Sequence, residues 1–82
     1  MRRKKGLVMQ DEQLVGSVPI STHEELRVTM HVYRGRPMVN IRRWRLLKSG
    51  WAHCPSGVIV GDVTFLELLP CLQEAARRIQ GL

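Results

Sequence analysis

The stretch ELRVTMHVYRGRPMVNIRRWRLLKSGW, Glu25 to Trp51, decides how this chain folds. Its first part alternates, with Leu26, Val28, Met30 and Val32 on one side and Arg27, Thr29, His31 and Tyr33 on the other. That is the period of a half-buried strand. Arg34-Gly35-Arg36-Pro37 reads as a tight connection in which the glycine is free to take a positive φ. Met38 to Leu47 predicts a second strand, with Val39 and Ile41 facing one way and Met38, Asn40, Arg42 and Trp44 the other. Here the alternation is imperfect, because Arg42 and Arg43 are adjacent, as are Leu46 and Leu47. Either a bulge or a strand that uses both faces accounts for it.

The same stretch concentrates positive charge. Arg27, Arg34, Arg36, Arg42, Arg43, Arg45 and Lys48 fall within it, and no Asp or Glu occurs from Leu26 to Gly61. Tyr33, Trp44 and Trp51 stand among these cations. Charge alone suits any polyanion, whereas arginines interleaved with aromatics also let a base stack while its phosphates meet guanidinium groups. The net charge of +6 over 82 residues points the same way, toward nucleic acid first and an anionic membrane surface second.

Outward from this hairpin, Leu14 to Ile20 has strand composition, and Pro19 confines any strand there to a sheet edge. Residues 1–13 are read as a flexible basic arm and residues 14–82 as one domain. Ser21 to Glu25 is a polar break in which Ser21 or Thr22 is a candidate cap for a single helical turn. Beyond the hairpin, Lys48-Ser49-Gly50 is a turn, Trp51 to Cys54 a short strand ended by Pro55-Ser56-Gly57, and Gly57 to Gly61 another strand. The expectation is an α+β fold: a four-stranded antiparallel meander, or five strands with Leu14–Ile20 added at the edge. One C-terminal helix follows. Phe65, Leu68, Leu69, Leu72, Ala76 and Ile79 carry its helical spacing. Thr64 with Glu67 fits a capping box, Asp62 being the rival cap, and Pro70 falls inside the helix.

A chain of this length buries only about 60% of its unfolded surface, so oligomerisation is a natural source of extra stability. Phe65, Leu68, Leu69, Leu72, Ala76 and Ile79 are therefore expected to form a homodimer interface. Cys54 and Cys71 are too few for a disulfide framework and read as small buried hydrophobes in a reducing compartment. No signal-peptide pattern follows the basic start, and no segment is long enough to span a bilayer. His23, His31 and His53 are scattered without an orienting carboxylate in the sheet segment, and His53-Cys54 lacks zinc-site spacing. The expectation is no enzyme, no metal and no cofactor, with His31 an exposed neighbour of Tyr33.

Several of these features together resemble the positive-cofactor-four family of transcriptional coactivators and its bacterial and phage relatives. The residues that carry the resemblance are Tyr33-Arg34-Gly35-Arg36, Val39-Asn40-Ile41-Arg42-Arg43-Trp44, the turn at Gly50, Gly57-Val58-Ile59-Val60, and Phe65 with Leu68-Leu69-Pro70. It covers roughly residues 25–80. The resemblance implies a curved antiparallel sheet followed by a helix, a homodimer, and binding of single-stranded or melted DNA across the strands. It also implies Tyr33, Arg34, Arg36, Arg42 and Trp44 as contacts. Two departures stand out: Asn40 where the family often has an acidic residue, and Ser56 where a basic residue commonly precedes the glycine. The serine- and lysine-rich extension of eukaryotic members is absent, which suggests a bacterial or phage relative or an isolated domain.

The full set of expected nucleic-acid contacts is Tyr33, Arg34, Arg36, Arg42, Arg43, Trp44, Arg45, Lys48 and Trp51. In a regular strand Arg42 and Arg43 face opposite ways, so one of them suits the dimer interface instead. The expected partner is single-stranded DNA, bound with little sequence preference, in the cytoplasm or nucleoid (the nucleus in a eukaryote). RNA offers the same stacking faces and phosphates. A third reading is a protein-interaction module that docks an acidic partner, such as a component of the transcription machinery, on its basic sheet.

Overall fold

A computed structural model describes residues 12–82. Strands β1 (Gln13–Ser21), β2 (Glu24–Tyr33), β3 (Arg36–Leu47) and β4 (Gly50–Gly61) form one antiparallel sheet in chain order, and helix α1 (Asp62–Gln80) follows. The residues expected to form an arm lie mostly outside the described part of the chain.

Each strand connection is a two-residue turn. At Arg34-Gly35 both residues have positive φ, 53° and 76°. That backbone twist matches the twist of the strands it joins, which is why such turns favour hairpins. Glycine takes it freely, but Arg34 does so against the steric preference of a side-chain-bearing residue. Ser21 and Thr22 lie at the β1–β2 turn and cap no helix.

The sheet keeps four strands but divides them differently from the expected pattern. Leu14–Ile20 is part of β1, and the two short strands expected around Pro55 are one strand, β4. Arg42 pairs with Gly57 and Trp44 with His53, so Arg43 alone stands opposite Cys54, Pro55 and Ser56. These residues make a bulge. Proline is tolerated there because β4 is an edge strand and a bulge needs no ladder donor. The irregularity suspected in β3 therefore resides in its partner, and β3 itself alternates regularly with both faces in use.

Register between β2 and β3 is unbroken, with Val28 opposite Ile41, Thr29 opposite Asn40 and Met30 opposite Val39. One face thus carries Val28, Met30, Val39 and Ile41 beside the start of α1. Val15, Val28, Met30, Val39, Phe65 and Leu66 line an apolar hollow there of about 380 Å³. Val39 is the only buried apolar residue among the described residues.

The helix begins three residues earlier than the Thr64 capping box predicts. Gly61 is its N-cap and no side chain caps it. Instead Asp62 accepts a 2.8 Å hydrogen bond from the Val63 N–H and meets the Arg36 guanidinium at 3.3 Å. Those two interactions, the backbone bond first, hold its carboxyl below the usual range. Glu74 is lowered likewise by Arg77 and then Arg78, both on the last turns of the same helix. The helix runs through Pro70 to Gly81 and buries none of its residues. Among the described strands its backbone comes near β3 and β4, and the side chains of Phe65 and Leu66 reach the hollow shared with β1 and β2.

Candidate nucleic-acid interface

The sheet face away from the apolar hollow is polar, basic and aromatic. Cross-strand pairing places Arg27 opposite Arg42, Glu25 opposite Trp44, and Tyr33 opposite Arg36. On the other side of β3, Trp44 pairs with His53 and Leu46 with Trp51. Paired residues share a face, so Tyr33, Arg36, Arg42, Trp44 and Trp51 fall together.

Two of the expected contacts, Arg43 and Arg45, stand on the opposite face by strand alternation. Arg43 pairs with Leu26, and Arg45 is bound to Glu24 at 3.1 Å. Lys48 sits in the β3–β4 turn and Arg34 in the β2–β3 turn, at opposite ends of the hairpin. Arg34 lies over the Tyr33 ring at 5.3 Å.

Trp44 is half-buried and its ring meets His53 edge-on at 5.5 Å. Trp51 is 38% exposed. Between them lies Arg27, its guanidinium 4.2 Å from the Trp44 ring centre and 5.3 Å from that of Trp51. Its Nε donates to Glu25. Arg27 was absent from the expected contacts. Its parity with Tyr33 was visible in the sequence, but its place between two tryptophans follows from the β2–β3 register.

Arg42 has a structural engagement that its sequence position did not reveal. It donates to the carbonyls of Cys54 at 2.9 Å and Pro55 at 2.8 Å, tying β3 to the bulge of β4. Gly57 opposite makes room: a Cβ there would stand 3.0 Å from the Arg42 guanidinium and 3.1 Å from the Ile41 carbonyl. Only part of the guanidinium is left to meet a ligand.

The centre of this face is more enclosed than expected. Thr29 and His31 are both buried, so His31 is not the exposed neighbour of Tyr33 that alternation suggested. His31 Nδ1 and Asn40 Oδ1 are buried without a hydrogen-bond partner among the described residues. A hollow of about 200 Å³ is lined by Asn40 together with Glu12, Arg42, Trp44 and His53. The cysteines also differ from expectation: Cys54 is half-buried at the bulge and Cys71 is exposed on the helix.

Of the residues expected at the dimer interface, Phe65 lines the hollow against the sheet, and Phe65 and Leu68 are half-buried. Leu69, Leu72 and Ile79 are exposed, and so is Leu66 at 65%. No group of three or more potential metal ligands occurs among the described residues, and no described helix is long and apolar enough to cross a membrane.

No protein-family model and no curated protein sequence matches this chain. Solved structures do. A PC4 homologue from Burkholderia pseudomallei is similar with a TM-score of 0.71 and 21% identity over 79% of this chain and 89% of its own. A second crystal form of it gives a TM-score of 0.70 at 18% identity. A bacteriophage T5 homologue of the eukaryotic transcription coactivator PC4, implicated in recombination-dependent DNA replication, is similar at 0.50 and 21% identity, covering 85% of this chain and 97% of its own. The sequence resemblance and these likenesses meet on one conclusion: the chain has the fold of the PC4 homologues, a four-stranded antiparallel sheet followed by a single helix.

Proposed function

We propose that this protein binds single-stranded DNA as a homodimer, with little sequence preference, on the sheet face that carries Arg27, Arg42, Trp44 and Trp51. One observation carries the reading: β2, β3 and β4 bring arginines and two tryptophans from three strands onto one surface. Such a surface captures phosphates electrostatically and offers rings on which unpaired bases stack. Duplex bases have their faces already stacked and gain only the charge term. The kinship in fold with a phage protein implicated in DNA replication supports a role in a DNA transaction, in the cytoplasm or nucleoid.

A second copy of the chain is supported by what the helix leaves uncovered. Leu66, Leu69, Leu72 and Ile79 are exposed on a helix with no buried residue, next to a sheet with one buried apolar side chain. Covering that surface with its own copy would supply the core a chain of this size lacks. The double variant Leu69→Glu/Leu72→Glu is expected to sediment as a monomer where the unaltered protein sediments as a dimer. An unaltered protein that sediments as a monomer would overturn the homodimer.

Binding is tested by the anisotropy of a labelled oligothymidylate and of a duplex, each at low and moderate salt. The reading expects much tighter binding of the single strand and a steep loss with salt, as counterions are released. Equal, weak and salt-labile binding of both would leave only a generic cationic surface. Competition by oligouridylate in the same assay distinguishes DNA from RNA as the preferred strand.

A further inference from the structure

We propose that Arg27 is a strand-binding residue which the free protein holds in reserve. Its guanidinium covers the Trp44–Trp51 platform with Glu25 as counter-ion, and a strand phosphate takes the place of the Glu25 carboxylate. The inference deepens the single-strand reading and rests on it.

Two features of the face call for this. First, Arg27 and Arg42 stand directly opposite each other on neighbouring strands, an arrangement that like charges disfavour. Each is neutralised differently. Arg42 is held by two backbone carbonyls, Arg27 by a carboxylate and two ring faces. Second, a carboxylate on a phosphate-binding face repels the ligand. Glu25 is directly opposite Trp44 and two residues before Arg27, within the block of side chains a strand would cross. Its side chain is 20% exposed and that of Arg27 21%, so the pair is partly withdrawn from water.

The arrangement makes the tryptophan platform self-occupied. A planar guanidinium over an indole face takes the place that a base would take. Moving Arg27 off the ring frees that face. The displaced cation then needs a new anion, and the phosphate that accompanies the base is the one at hand. Glu25 thus imitates a phosphate in the free state, and the strand exchanges one oxyanion for another.

The test is a double-mutant cycle on oligothymidylate affinity with Glu25→Gln and Arg27→Gln. Glu25→Gln is expected to tighten binding roughly two- to fivefold, the range of a partly exposed ion pair. Glu24→Gln removes the same charge from the opposite face, where Glu24 serves Arg45, and is expected to change affinity less. Arg27→Gln is expected to weaken binding and to lower the magnitude of the salt slope by about 0.7, the loss of one phosphate contact on a single strand. The decisive result is in the double variant: the gain from Glu25→Gln is smaller when Arg27 is already gone, because only the relief of repulsion by the carboxylate is left.

A gain of the same size in both backgrounds would overturn the proposal, as would an Arg27→Gln variant with an unchanged salt slope. Arg27→Met, which keeps the aliphatic stem, repeats the cycle if the glutamine variant does not fold. Failure of the unaltered protein to bind single strands would overturn the functional reading and this proposal together. Binding with strictly additive variants would remove only the reserve role of Arg27.

Discussion

The two faces of this sheet are made by the same strands and differ in almost every other respect. One presents Val28, Met30, Val39 and Ile41 beside the helix; the other presents Arg27, Arg42, Trp44 and Trp51 away from it. Adjacent residues in β3 show the contrast most sharply. Arg42 is fastened to the β4 bulge on the aromatic face, while Arg43 and then Arg45 sit on the opposite one, Arg45 bound to Glu24. The lesson is that a run of arginines is not one functional unit in a strand. A period of two divides it between faces, and each half finds its own partners.

The largest effect that would break this comparison concerns Trp44. Replacing it by leucine keeps an apolar side chain but removes the ring, and should weaken single-strand binding by about 1–3 kcal/mol. Arg43→Gln, one residue away on the other face, should cost less than about 0.5 kcal/mol of stability, as surface changes usually do. It should also leave most of the affinity in place. Equal losses of affinity in titrations of the two variants would mean that the faces are not functionally distinct.

Next in size is Arg42. Arg42→Gln removes charged hydrogen bonds to two carbonyls of the bulge and should destabilise the fold by about 1–2 kcal/mol. Denaturant unfolding measures it. A variant as stable as the unaltered protein would mean that Arg42 serves the ligand alone. Smaller still is Arg34, held at a positive φ that asparagine tolerates better. Arg34→Asn should stabilise the hairpin by a part of the roughly 1–2 kcal/mol that a left-handed residue costs, while weakening binding, separating the charge of the turn from its geometry. Lower stability in the same unfolding experiment would count against the strain.

The smallest effect lies in the helix. Asp62 and Glu74 have lowered carboxyl values, so their stabilising interactions are fully present above the ordinary carboxylate range. They are lost as the pH falls through the lowered values and the groups protonate. Glu74→Gln should therefore show a shallower fall in melting temperature on acidification than the unaltered protein. Identical slopes would show that Glu74 contributes nothing through its arginines.

Much of the fold was legible in the sequence because alternation from Leu26 to Tyr33 states which residues of β2 share a face. The register of β3 was not, because Arg34 to Pro37 reads as the whole connection, whereas the turn is Arg34-Gly35 alone and Arg36 and Pro37 already pair with Tyr33 and Val32. β4 was not legible as one strand because Pro55 reads as a terminator, and only its edge position and the bulge make it tolerable. The helix start was misplaced because Thr64 and Glu67 match a capping pattern, whereas the chain enters the helix directly from Gly61.

The candidate site was half legible. Tyr33, Arg36, Arg42, Trp44 and Trp51 do share a face, as spacing allowed. The position of Arg27 between two rings depends on three strands at once, which no local pattern encodes. The burial of His31 likewise depends on neighbours from other strands and not on its own parity.

The central claim is that single strands bind on the tryptophan-bearing face. Intrinsic tryptophan emission, followed during titration with oligothymidylate, tests it most directly. The account predicts saturable quenching that is sharply reduced in Trp44→Leu. Tight binding of the oligonucleotide with tryptophan emission unchanged would place the strand elsewhere and contradict the account.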